Sequence, residues 1–218
     1  MKNRFVIGLT LIISIISISC SGVIEENSTT PQNLPIYGNK EFIEGVDEDT
    51  IYHTVPYWSF VNQDGEYVGT KDYEGKTSVA YFCFSHYPQI CPKINSNMKG
   101  VQDDTKDLDF NVIGFTVDPE RDSVERLKIY ADEYGFELSN YNFVTGIQKD
   151  IYELGVNGFL VPNSQDALAP GGFLHSEKLM LIDSKSRIRG YYEGTESEQI
   201  ALLKKDLIKL ISDESNNK

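Results

Sequence analysis

Sulfur and imidazole side chains are scarce in this chain, which holds three cysteines, three methionines and three histidines among 218 residues. Basic residues are also few: 20 lysines and arginines stand against 33 aspartates and glutamates, for a formal net charge of −13. A chain this acidic is unsuited to the phosphate backbone of nucleic acids and to an anionic lipid surface. It is compatible with a basic protein partner. No internal repeat is present, which excludes a repeat architecture.

The first residues have the shape of a targeting segment. A basic start is followed by the apolar stretch Phe5 to Ile18, and small residues then precede Cys20. This pattern is similar to a bacterial lipoprotein processing site and predicts that residues 1–20 are an anchor with Cys20 as the lipidated residue. The alternative is an uncleaved transmembrane anchor over Phe5 to Ile24, which is about long enough for a bilayer core of ~20 residues. Both place the protein at the membrane of a bacterial cell envelope, outside the cytoplasm.

The remainder of the chain predicts one domain behind a tether. Residues 21–50 contain little apolar periodicity and are predicted to be a flexible linker. An apolar content of 40% is enough for one core-forming domain, predicted over 51–213.

Residues 77–94 are the most informative stretch of that domain. Val79 to Phe84 is an unbroken apolar run, which predicts a central strand covered on both faces. The residues that follow, Pro88 among them, must turn. Pro92 suits the first turn of a helix, so Cys91 is predicted at or beside a helix N-terminus. Unpaired amide groups and the helix dipole favour a thiolate there, so this is a place for soft-metal or thiol chemistry.

Strands and helices alternate through the rest of the domain, with Gly135 as one helix stop. Residues 155–173 are a long excursion rich in glycine, proline and asparagine, predicted to be a functional or mobile loop. A closing hairpin and a final amphipathic helix follow. The predicted strands cover 57–62, 66–68, 79–84, 110–117, 142–144, 174–182 and 187–192, and the predicted helices cover 92–104, 123–134, 149–154 and 198–211.

Four motifs, in this order along the chain, resemble the Sco/SenC family. The resemblance covers about residues 52–212, and its core is a loop that reads roughly Phe-Thr-x-Cys-Pro-x-Ile-Cys-Pro in the family. It implies a thioredoxin-like three-layer α/β fold with a mixed central sheet flanked by helices, an architecture that the alternating strands and helices also predict. The motifs are Pro56 to Gly65, Phe84 to Pro92, Val117 to Asp122 and His175 to Asp183.

The resemblance also implies a function and a site. Proteins of this family are membrane-tethered copper chaperones that help to assemble the copper site of cytochrome c oxidase, using two cysteines and one histidine. Cys91 and His175 match the second cysteine and the histidine. The first cysteine falls at Tyr87, whose phenol is mostly neutral at physiological pH and is a poor ligand for Cu(I). The adjacent His86 is a candidate substitute ligand.

Other residues in these motifs have structural interpretations. Met98 lies on the same helix face as Cys91 and is predicted to be core. Asp118 and Asp122 match a paired-acid motif that lies near copper in the family, but helix capping by Asp122 would explain it equally. His53 is predicted to be structural.

Cys83 lies inside the predicted central strand, where a free cysteine usually behaves as a small buried hydrophobe. A Cys83–Cys91 disulfide is the alternative in an oxidising compartment, and it requires Cα atoms within roughly 7 Å. With Cys83 in mid-strand, Cys91 has no adjacent resolving partner. Dithiol oxidoreductase chemistry is therefore not expected.

Three functions follow from these residues. The first is a copper-handling accessory factor with an altered metal site, whose partner is a respiratory oxidase or another copper protein. The second is a metal-free binding or scaffolding module in oxidase assembly or copper homeostasis. The third is a single-cysteine thiol peroxidase-like enzyme, which lacks the threonine expected three residues before its cysteine because Pro88 stands there. The first two are not enzymes.

Overall fold

A computed structural model describes residues 33–42, 50–87, 89–169 and 172–216. The predicted anchor over residues 1–20, with Cys20, lies outside the described residues, as does most of the predicted linker. Within the described ranges, no helix combines the length and apolar character needed to cross a bilayer.

A seven-stranded mixed sheet forms the centre of the domain. Its order is β11-β10-β5-β6-β7-β3-β4, with β5, β6 and β7 parallel and the outer pairs antiparallel. Two short antiparallel pairs, β1–β2 and β8–β9, lie outside it. The strands are β1 Lys40–Phe42, β2 Thr50–Tyr52, β3 Ser59–Asn62, β4 Tyr67–Gly69, β5 Ser78–Cys83, β6 Asn111–Thr116, β7 Tyr141–Thr145, β8 Asn163–Gln165, β9 Phe173–His175, β10 Lys178–Ile182 and β11 Ile188–Glu193.

Helices cover both faces of this sheet, which confirms the predicted thioredoxin-like three-layer architecture. On one face α2 packs against α3 and α5. On the other, Phe159, which follows α4 and a π-helical turn, packs edge-on against Phe82 of the central strand. The helices are α1 Thr70–Tyr73, α2 Ile90–Asp104, α3 Val124–Tyr134, α4 Gln148–Glu153 and α5 Ser197–Asn216, and the π-helical turn is Leu154–Gly158.

The central strand β5 is buried at every position, as its apolar run predicts. Alternation sends Val79, Tyr81 and Cys83 to the α2 side, where the Tyr81 hydroxyl donates to Asn95 Oδ1 of α2 at 2.6 Å. Gly114 lies beside Tyr81 on β6 and leaves room for its hydroxyl, because a Cβ at Gly114 would come within 3.0 Å of the tyrosine oxygen. The strand and α2 are therefore fixed in register by a buried polar contact as well as by apolar packing.

Two predictions about the region before the last hairpin are corrected. The described residues 155–169 and 172–173 are not an irregular loop throughout, because they contain most of the π-helical turn, the strand β8 and the first residue of β9. The strand predicted over 174–182 is divided: His175 ends β9, which pairs with β8, and β10 begins at Lys178. The chain leaves one small sheet at His175 and enters the central one three residues later.

Part of the predicted linker belongs to the domain. Within 33–42, Leu34 is buried, and its carbonyl oxygen accepts a hydrogen bond from Arg189 of β11 at 2.5 Å. Tyr37 N–H donates to the Ile188 carbonyl oxygen at 2.9 Å. Residues 34–37 therefore lie along the edge strand β11, while β1 pairs with β2. For residues 33–42 the prediction of a flexible linker is wrong.

Candidate functional site

The turn between β5 and α2 brings the two cysteines of the domain together. Cys83 is the last residue of β5 and faces α2, while Cys91 is the second residue of that helix, which begins at Ile90 rather than at Pro92. The intervening residues fold back, so the Cα atoms of the two cysteines lie 5.7 Å apart. That separation lies inside the range that a disulfide requires.

Cys83 and Cys91 form a disulfide bond, so the expectation that Cys83 is a free thiol is wrong, although its predicted burial is confirmed. The physical reason is that Cys83 lies at the end of the strand rather than in its middle, on the side that α2 covers. Both residues are almost completely buried, with exposures of 3% for Cys83 and 0% for Cys91. The Phe84 N–H donates to Cys91 Sγ at 3.3 Å, which ties the helix start to the end of the strand.

Four rings pack together on the apolar side of this turn and form what we call the Tyr87 cluster: Phe84, Tyr87, Phe173 and His175. Phe84 and Tyr87 stack nearly parallel, with ring centroids 5.1 Å apart. His175 meets both rings edge-on at 5.6 Å. Burial, and secondarily the negative charge of Glu177, raise the pKa of Tyr87, so its phenol stays neutral. The position at which the resemblance places a thiolate is filled by an uncharged aromatic ring.

His175 is delivered to the Tyr87 cluster by the end of β9. Its ring is largely buried, and desolvation lowers its pKa although the Ser176 carbonyl near Nδ1, at 3.3 Å, acts in the opposite direction. A neutral imidazole is the form that can bind a metal. Phe84 connects this histidine to Cys91, since its ring contacts His175 and its amide contacts Cys91 Sγ.

The polar side of the turn is held by Asp122, a fully buried carboxylate. It accepts hydrogen bonds from the Ser85 hydroxyl at 2.5 Å, the Ser85 N–H at 3.0 Å and the Thr116 hydroxyl at 2.5 Å. The prediction that Asp122 caps a helix is corrected, because the N-cap of α3 is Ser123, whose hydroxyl accepts from Arg126 N–H. Asp122 instead joins the end of β6 to the turn after β5.

His86 lies on this polar side. Its Nδ1 is 3.5 Å from Asp122 Oδ1 and 3.0 Å from Ser85 Oγ, and its side chain is partly exposed. Asp118 is also buried but pairs with Arg121 instead of facing the turn. The structure thus brings Cys91 and His175 to the same end of the domain and places His86 beside Asp122. Among the described residues, no group of three or more histidine, cysteine or acidic side chains is arranged to hold a metal ion.

Two other residues noted in the sequence, Met98 and His53, have structural roles. Met98 is fully buried in the core, as predicted. His53 Nε2 lies 2.7 Å from the Gly158 carbonyl oxygen and so joins the segment before β3 to the π-helical turn, also as predicted.

Cys83 is the site residue that sequence reasoning assigned wrongly, and a signal for it was available. Counting alternate residues back from Cys83 passes through Tyr81 and Val79, which share its face of the strand. A helix that begins soon after the strand covers one face of the sheet, so a cysteine on that face at the strand end lies next to the first turn of the helix. The bond between Asp122 and Ser85 gave no such signal, because Ser85 lies 37 residues away along the chain.

Comparison with known proteins places this arrangement in a family. The sequence profile described as SCO1/SenC matches residues 46–211. A SCO1/SenC family lipoprotein from Bacillus anthracis superposes with a TM-score of 0.67 at 30% identity, over 72% of this chain and 95% of that chain.

Two further solved structures share the fold. BsSco, a member of the Sco family of cytochrome c oxidase assembly proteins in which a disulfide switch was identified, superposes with a TM-score of 0.66 at 27% identity, over 73% of this chain and 94% of that one. Arabidopsis thaliana ScoI with copper bound superposes with a TM-score of 0.60 at 22% identity, over 72% and 99% of the two chains. The last likeness supports the fold alone.

Proposed function

This chain belongs to the SCO1/SenC family, and from that membership we propose that it is an accessory protein that handles copper for the assembly of a respiratory oxidase. BsSco is a member of a family of cytochrome c oxidase assembly proteins. Copper is the cargo in this proposal. The partner is the oxidase or another copper protein, and the chain acts by binding and transfer rather than as an enzyme, with at most weak thiol redox activity.

The proposed donors are Cys91 and His175. The observation that carries the proposal is Phe84, whose backbone amide contacts Cys91 Sγ and whose ring contacts His175. One residue therefore separates a sulfur from a neutral imidazole, and both are donors that Cu(I) accepts. His86 is a weaker candidate, because its ring lies beside Asp122 on the opposite side of the turn.

Attachment to the membrane is the second part of the proposal. Cys20 carries the lipid anchor, and the folded domain lies outside the cytoplasm in a bacterial cell envelope. The match to a SCO1/SenC family lipoprotein of Bacillus anthracis supports this assignment.

The experiment is a competition titration against a Cu(I) chelator, using the reduced full-length protein and its Cys91→Ser and His175→Ala variants. We expect stoichiometric Cu(I) binding by the unmodified protein, loss of binding in Cys91→Ser and weakening by about tenfold or more in His175→Ala, since a ligand contributes at least as much as the outer-shell groups that orient it. A reduced protein that binds no Cu(I) would contradict the proposal.

That outcome would favour a metal-free binding or scaffolding module. Two observations support this second candidate. The rings of Phe84 and Tyr87 stack on each other in the turn, and Cys83 and Cys91 are already bonded to each other. A metal-free module predicts copper-independent capture of the partner, which the Cys91→Ser variant would retain.

A further inference from the structure

A groove lies between the start of β3 and the helix α4. Its volume is about 440 Å³, with residues 56–60 on one wall and Asp150, Glu153 and Asn157 on the other. Sites for small ligands have volumes of roughly 300–1,000 Å³. The groove is therefore large enough to take a few side chains of a larger molecule.

Hydrogen bonds hold the two walls in place, so the groove is preformed. Thr70 of α1 fixes the first wall, because its Oγ1 accepts from the Trp58 N–H at 2.9 Å and donates to the Pro56 carbonyl oxygen at 3.4 Å. His53 Nε2 lies 2.7 Å from the Gly158 carbonyl oxygen, which joins the segment before this wall to the π-helical turn after α4. A preformed surface loses little conformational freedom when it binds a partner.

Large apolar side chains of the groove and its borders are open to water. Tyr57 of the first wall is 71% exposed, whereas the next residue, Trp58, is buried and stacks on Phe60. Ile147, directly before α4, is 68% exposed, and Val156 of the π-helical turn is 48% exposed. Tyrosine is enriched at protein interfaces, where its ring supplies a large contact area. An exposed tyrosine on a fixed backbone is therefore suited to anchor a partner.

The second wall is negatively charged. Asp150 and Glu153 are three residues apart on α4, so their side chains leave the same side of the helix, and both residues are exposed. Lys149 lies 3.6 Å from Glu153, in a pair whose two side chains are largely exposed. Such a pair holds its partners weakly, so the carboxylates remain available to a cation from outside.

This charge decides between the possible occupants of the groove. The chain's own residues 21–32 and 43–49, which lie outside the described residues, contain acids but no lysine or arginine. A second copy of the chain carries the same formal net charge of −13. Both are repelled by the negative wall, whereas a basic segment of another protein is attracted to it.

We propose that this groove docks a basic segment of a partner protein, one in which an apolar side chain is flanked by lysine or arginine. The apolar side chain packs on Tyr57, and the basic side chains pair with Asp150 and Glu153. The inference rests on the proposed function, in which the chain meets another protein, and deepens it by naming the surface and the chemistry of the segment that binds there. None of the proposed copper donors takes part.

The groove opens at the same end of the sheet as the turn after β5. The strand register sets four residues of neighbouring strands in one row: Cys83, Thr116, Thr145 and Val61. With strands about 4.8 Å apart, this row is about 14 Å long. Because β3 runs antiparallel to β7, the residues before β3, Tyr57 among them, extend past the same end of the sheet. A partner in the groove therefore lies beside the end of the domain that carries the proposed copper donors.

The test begins with a random heptapeptide library displayed on phage and selected on the full-length protein, immobilised in detergent micelles. We expect enrichment of peptides in which an aromatic or aliphatic residue adjoins lysine or arginine. The affinity of one enriched peptide, made synthetically, is then measured by fluorescence anisotropy. Tyr57→Ser should lower this affinity by about tenfold or more, as expected for an aromatic anchor. Asp150→Asn combined with Glu153→Gln should lower it by about fivefold at low ionic strength and by less at high salt, because salt screens exposed charges.

Matched variants remove the same groups elsewhere. Tyr67→Ser removes a tyrosine of β4 that is 77% exposed. Glu125→Gln combined with Asp132→Asn removes two exposed carboxylates from α3, which packs against α2 on the other face of the sheet. Both should leave the affinity for the peptide unchanged. Thermal melting of every variant separates loss of binding from loss of the fold.

The inference is overturned if no peptide is enriched, if the enriched peptides lack basic residues, or if the matched variants weaken binding as much as the groove variants do. It is also overturned if the protein sediments as a dimer that Tyr57→Ser dissociates, because a second copy then fills the groove. Chelator competition with Cu(I) keeps the proposed function apart. Tyr57→Ser should lose the peptide and keep its Cu(I) affinity, whereas a protein that binds the peptide in the groove but no Cu(I) contradicts the copper function alone.

Discussion

The two sides of the turn between β5 and α2 are built in opposite ways. On the polar side, the carboxylate of Asp122 collects hydrogen bonds from Ser85 and Thr116, so that the turn is fixed to the end of β6. On the apolar side, Tyr87 and His175 meet only through ring contacts. Buried hydrogen bonds to a charged group are directional and costly to break, whereas ring contacts tolerate displacement.

Because the two sides differ in this way, the residues that hold the turn in position are not the residues that are proposed to bind copper. The Asp122 bonds hold the chain in place whether or not a metal is bound, because they involve no donor proposed for copper. The Tyr87 cluster contains the proposed donor His175, and Phe84 of the same cluster contacts Cys91 Sγ through its amide. The polar side therefore carries stability, and the proposed copper donors lie on the apolar side.

The largest expected effect is on the polar side. Asp122→Ala removes the acceptor of three hydrogen bonds and leaves the buried Thr116 hydroxyl and the part-buried Ser85 amide without it, so we expect a loss of about 3 kcal/mol in the free energy of unfolding. Asp118→Ala is the matched control. Its carboxylate is also buried but pairs with Arg121, whose side chain is half exposed, so the loss should be smaller, about 1 kcal/mol. Urea unfolding of the two variants measures both values, and equal losses would show that Asp122 has no special role in holding the turn.

The next largest expected effect is on Cu(I) affinity, and it concerns the apolar side of the turn. Tyr87→Cys places a thiolate where the neutral phenol now stands and removes one ring from the Tyr87 cluster. This change should raise Cu(I) affinity above that of the unmodified protein by about tenfold or more, which corresponds to about 1.4 kcal/mol. Tyr87→Phe keeps the ring, adds no donor and should leave the affinity unchanged.

Chelator competition on the reduced single variants measures the effect. If Tyr87→Cys fails to raise the affinity, the turn does not hold position 87 near Cys91 in the geometry that the resemblance implies. That result would favour the metal-free module.

The sequence could predict those features of the fold that depend on local patterns. The apolar run of β5, the turn after it and the helix beginning near Pro92 are local patterns, and all three are present within two residues of their predicted bounds. The stop at Gly135 is local too, because a left-handed residue ends α3 there. Each of these features depends on neighbouring residues along the chain.

The missed features depend on contacts between distant segments. The pairing of β8 with β9 crosses a stretch with no hydrophobic alternation, so periodicity could not find it. The bonds from Ser85 to Asp122 depend on the parallel register of β5 and β6, which brings Cys83 opposite Thr116. The disulfide required two facts together, the face of the strand and the early start of α2. The place of Cys91 at the start of the helix was therefore predictable, and its bond to Cys83 was not.

The smallest expected effect is a pH dependence from the buried histidine on the apolar side. Burial lowers the pKa of His175 below its ordinary value of about 6.5, so the folded, copper-free protein resists protonating it. Between the folded pKa and about 6.5 the unfolded chain binds more protons than the folded one, and stability therefore rises with pH in that window and falls on acidification. In His175→Gln this contribution is absent. We expect the variant to be less stable at about pH 7.5, because packing in the Tyr87 cluster is lost. As the pH falls to about 5, the difference in stability from the unmodified protein should become smaller, by less than about 1 kcal/mol.

Urea unfolding of both proteins at the two pH values, without copper, measures this difference. Parallel stability curves would mean that His175 titrates alike in the folded and unfolded chains, and that the ring is not held in the desolvated position from which it could meet Cu(I) as a neutral ligand.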